Sequence, residues 1–92
     1  MQPSPTFAAA EILALQALAW LAGDQDRLEK LLGTSGMDGA SLRAAGQDPH
    51  LLAAILAFLL SDEPLLLEFC NENDVPPPKV HAAQYRLEGG CG

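Results

Sequence analysis

From residue 7 to residue 22 nearly every position is Phe, Ile, Leu, Trp or Ala, and the polar exceptions are Glu11 and Gln16. That run predicts a helix capped by Ser4 or Thr6, with Pro5 tolerated in its first turn and Gly23 as a left-handed stop. Behind Asp24, a second capping residue, Leu28, Leu31 and Leu32 recur at helical spacing. They predict a short second helix ended by Gly33, with residues 33–36 as a loop. Asp38 can cap a third, very short helix that carries Leu42 and closes at Gly46. Asp48-Pro49 is the strongest local signal: an acidic N-cap followed by proline at the first helical position. It starts a fourth helix running to about Leu60. Pro64 would clash with the carbonyl of Leu60, so the chain breaks there and restarts from Ser61 or Asp62. The fifth helix then runs through Phe69 to about Asn73. The Val75-Pro76-Pro77-Pro78 run reads as extended and stiff, and a last helix carries Val80, Ala83 and Leu87. The expected fold is all-α, a single compact domain of five or six short helices over residues 1–92, with 1–4 and 89–92 mobile.

Two of these helices carry more apolar surface than a small domain easily hides. The fourth spreads Leu51, Leu52, Ile55, Leu56, Phe58, Leu59 and Leu60 over an arc of about 200°, and Ala53, Ala54 and Ala57 fill the rest, so it has no polar face. On the first helix, Phe7, Ile12, Leu15, Leu18 and Leu21 share a broad arc, while Leu13 and Trp20, one heptad apart, point elsewhere. Two arrangements follow. In one, the fourth helix is central and the alanines of the first let it lie close over it. In the other, Leu13 and Trp20, or the Ala53/Ala57 face, form an apolar patch that meets a partner, most simply a second copy in a homodimer.

Composition agrees with helices and argues against a sheet. Of 92 residues, 17 are Leu and 15 Ala, whereas Ile, Val and Thr together number six. Strands favour β-branched and aromatic residues, and helices favour Ala and Leu. By the usual scaling a compact chain of this length has a radius of gyration of about 12 Å. Twelve acidic residues against five basic ones give a net charge of −7, the wrong sign for a surface that follows a phosphate backbone, so no nucleic-acid partner is expected. Helices two to four offer only Arg27, Lys30 and Arg43. The longest uninterrupted apolar run, residues 51–60, is half of what a bilayer span needs, so no membrane is expected either. The segment MQPSPT has no Lys or Arg and no cleavage site follows it, which reads as no signal peptide and a cytoplasmic setting. There Cys70 and Cys91 would stay reduced rather than pair.

The stretch Ala19-Trp20-Leu21-Ala22, the spaced Leu28, Leu31 and Leu32, Ser41-Leu42-Arg43, Asp48-Pro49 and Leu59-Leu60-Ser61-Asp62-Glu63 resembles a family of short bacterial proteins, chiefly alphaproteobacterial, known as a domain of unknown function. The likeness covers roughly residues 10–87. It implies a bacterial, cytoplasmic, all-helical protein and brings no catalytic residue, ligand or partner with it.

Chemistry-bearing residues are sparse. Between Arg43 and Lys79 lie six carboxylates (Asp48, Asp62, Glu63, Glu68, Glu72, Asp74) and no basic residue. On the fifth helix Glu68 and Glu72 oppose an apolar arc that includes Cys70. They read as a solvated face or as a docking surface for a basic partner; no Asp-x-Asp-x-Asp-Gly calcium loop is present. His50 and His81 lie 31 residues apart, without a His-x-x-x-His or Cys-x-x-Cys pairing. Cys70, on the apolar arc, is a small hydrophobe whose thiol burial pushes its pKa up, which suits no nucleophile. The expected function is a small protein-interaction or regulatory protein with no cofactor and no catalysis. Leu13, Trp20, Ala53, Ala57, Glu68 and Glu72 are its candidate partner surface. The alternative is a metal-dependent protein or small enzyme built on Asp48, His50, His81 and Cys70.

Overall fold

Side-chain caps set most of the helix boundaries. In the computed structural model, which describes residues 6–89, Thr6 accepts from the Ala9 amide and opens α1 (Phe7–Ala22). Asp24 accepts from the Asp26 and Arg27 amides at the head of α2 (Gln25–Ser35). Asp38 accepts from Ser41 at the head of α3 (Gly39–Ala44), which passes into a 3-10 turn at Ala45–Gln47. Asp48, with Pro49 at the first helical position, opens α4 (Pro49–Ser61). Asp62 ends that helix and caps α5 (Glu63–Asn73), so one residue makes the break that Pro64 requires. The last helix, α6 (Pro77–Leu87), has no side-chain cap; it opens on two prolines instead. Among the described residues there is no strand.

Three expected boundaries move. Gly23 is not left-handed, since its φ is −75°. Its lack of a side chain matters because an added Cβ would sit 3.3 Å from the Ala19 carbonyl oxygen. The second helix runs through Gly33 to Ser35, and the left-handed stop is Gly36 at φ 75°. A glycine inside a helix costs about 1 kcal/mol, which the burial of Leu31, two residues earlier, offsets. Of the three prolines only Pro76 is extended; Pro77 and Pro78 form the first turn of α6, where missing amide hydrogens cost nothing. Asp74 takes the left-handed place at the end of α5, with φ 55°. Residues 1–5 and 90–92, and with them the expectations placed on Ser4, Pro5, the chain ends and Cys91, lie outside the described residues. Gly89 is described: it sits in a turn, its amide donating to the Arg86 carbonyl.

Helices α1, α4 and α6 pack against one another, with α2 and α5 laid against that trio. Leu52, Ala53, Ile55, Leu56, Phe58 and Leu59 of α4 are buried, as a helix with no polar face requires. Ala10, Ala14 and Ala17 of α1 are fully buried, so the first helix lies close over its neighbours on its alanines. The radius of gyration is 12.2 Å.

The Asp48 cap gives a direct check on this punctuation. Asp48→Ala is expected to cost about 1 kcal/mol, while Pro49→Ala is expected to be nearly neutral because that amide has no helical partner. Urea melts of both variants measure the difference.

Candidate functional site

Of the two arrangements open from the sequence, α1 takes the one with its alanines inward, but Leu13 joins the core while Phe7, Ile12 and Leu15 do not. The inward face is Ala10, Leu13, Ala14, Ala17 and Leu21, with Leu13 only 5% exposed. The residues left outside are Phe7, Ile12 and Leu15, at 41%, 59% and 40% exposure. Leu13 is therefore core, and so is Ala53 on α4; neither contributes to a surface patch. Ala57 is half-buried. The physical reason is close approach: a strip of alanines lets two helix axes come nearer than a strip of leucines does, so more of each helix is buried. The spacing of Ala10, Ala14 and Ala17, one residue per turn on one side, was the sequence signal for this face.

Trp20, Glu68 and Glu72 do come together, around a residue the sequence reading did not assign to a site. Arg27 of α2 lies over the Trp20 ring, its Cζ 3.8 Å from the ring centroid. Its Nη2 donates to Glu68 Oε1 at 3.1 Å and to Glu72 Oε2 at 3.5 Å. Trp20 Nε1 donates to Glu72 Oε1 at 3.1 Å. Beneath them the Trp20 ring meets Phe69 edge-on, with centroids 5.4 Å apart. The cluster ties α1, α2 and α5, and Lys30 of α2 reaches Asp62 at 3.7 Å nearby. The two glutamates, read as a solvated face or as a docking surface for a basic partner, pair with the chain's own arginine. Each link is worth a fraction of a kcal/mol to about 1 kcal/mol at such exposure. Their role here is to hold helices together.

The metal alternative finds no support in the geometry. His50 and His81 are exposed on separate helices, and the Asp48 carboxylate accepts the His50 backbone amide. Among the described residues no three His, Cys, Asp or Glu side chains gather closely enough to hold a metal ion. Cys70 is a buried free thiol, and burial pushes its pKa up. No single helix among the described residues is long and apolar enough to cross a membrane.

Among the described residues, the outer face of α1 is the one apolar surface that these contacts leave uncovered over several turns. Leu67 on α5 and Tyr85 on α6 are exposed as single residues, which is ordinary for a small domain. Comparison with known families finds a match over residues 7–90 to the one described as "Protein of unknown function (DUF3572)", slightly wider than the span of the resemblance seen in the sequence. No curated protein and no solved structure matches the chain.

Proposed function

The chain belongs to that family of unknown function, and we propose that it acts without catalysis, by protein–protein contact through the outer face of α1. The observation that carries this reading is the exposure of Ile12 and Leu15 on a helix whose opposite side is locked into the core. Such a face is rigid before it binds, so little conformational entropy is lost on contact. The setting that suits a free Cys70 thiol is the reducing cytoplasm.

The test is a photo-crosslinking residue placed at Ile12 and, in a second strain, at Tyr85, each expressed in the native host. Protein adducts are expected from position 12 and not from position 85. Absence of adducts at 12, or equal adducts at both positions, would overturn the reading.

A further inference from the structure

Ala8, Ile12, Leu15, Ala19 and Ala22 follow one another at spacings of four, three, four and three residues, and all five are exposed. This is the a/d spacing of a two-stranded helical seam, with the branched Ile12 at an a position and Leu15 at a d position. A buried helix uses such a stripe against its own fold. Here the fold grips α1 by Ala10, Leu13, Ala14, Ala17 and Leu21, and the heptad stripe faces away.

Charge says what can cover it. The chain carries −7, yet the 16 residues of α1 hold a single charge, Glu11, and no basic residue. An acidic partner has nothing there to pair with, and a basic one finds one carboxylate. The fitting occupant is an uncharged apolar ridge of matching period. The chain itself displays one, and for two copies each at −7 it is a face on which few like charges meet. We propose that α1 pairs with α1 of a second copy, in a two-fold homodimer closed along this seam. The two helices run antiparallel, with their dipoles opposed. Ile12 then faces the partner's Leu15, and Ala8 faces the partner's Ala19, so large side chains meet at the centre and small ones at the ends. Gly46, in the 3-10 turn, lies beside Leu15, since a Cβ added there would touch Leu15 Cδ2 at 3.7 Å, and Leu15 keeps 40% of its surface exposed. A seam of two heptads buries less than the roughly 800 Å² per partner of a standard interface. The dimer is accordingly weak and depends on concentration.

This inference rests on the contact role of α1 proposed above and names the partner. Its test is light scattering with size-exclusion chromatography on the purified full chain over a hundredfold concentration range. The expected result is a mass that rises from 9.7 kDa toward twice that value. Ile12→Glu and Ala19→Glu, both at exposed positions, are each expected to stay at the monomer mass with an unchanged helical spectrum. Leu67→Glu, an exposed apolar position on α5, is expected to dimerise as the wild type does. A wild type that stays monomeric at the highest concentration overturns the proposal, as does a dimer that survives both α1 variants. If position 12 then still crosslinks in cells, to a protein other than this chain, the contact role stands and the homodimer falls.

Discussion

Phe69→Ala is expected to lower the midpoint of thermal unfolding by more than about 12 °C, from a cost of about 3–5 kcal/mol. Phe69 is fully buried and leads the large side chains of the core. Its ring edge meets Trp20, and Trp20 carries the Arg27 guanidinium on its exposed side. Removing the ring opens a cavity beneath that stack, so the α5 contacts to α1 and α2 loosen together. A chain of this size has in total about 5–14 kcal/mol of stability, and the loss is a large share of it. Trp20 fluorescence should move to longer wavelength in the folded variant, because water reaches the indole. A melting point within a few degrees of wild type, with unchanged emission, would show that α5 is not seated on Trp20 as described.

Ala17→Leu is the second large effect, and it tests the alanine face of α1. Ala17 is fully buried where α1 lies on its neighbours. Three extra carbons there force α1 outward, at a cost of about 1–3 kcal/mol. Ala9→Leu, on the exposed side of the same helix, is expected to change stability by no more than about 0.5 kcal/mol. Denaturant melts of the two variants at equal, low concentration give the comparison. Equal costs would mean that α1 does not pack by its alanines. Were Leu13 part of an exposed patch, Leu13→Ala would be harmless; as a buried residue it is expected to cost as core leucines do.

What the sequence alone determined was local. Thr6, Asp24, Asp38, Asp48 and Asp62 each cap a helix because a short polar side chain reaches an amide two or three residues ahead, and that reach depends on nothing distant. The class followed from the same local chemistry, since Leu and Ala with few β-branched residues make helices and not strands. At Gly33 and Gly23 a glycine's local preference was overridden, by the packing of Leu31 and by the helical bond from the Gly23 amide to the Ala19 carbonyl.

What tertiary structure decided was direction. On α4 no choice was needed, because a helix apolar all round is buried whichever way it turns. On α1 both sides are apolar, so a period of 3.6 does not say which side goes in; the shapes of α4 and α6 decide, and they take the alanines. The pairing of Arg27 with Glu68 and Glu72 spans 41 and 45 residues, and no spacing rule links positions so far apart. Glu68 and Glu72 were legible as a charged face, but their occupant was not, since only the packing of α2 against α1 brings that arginine over Trp20.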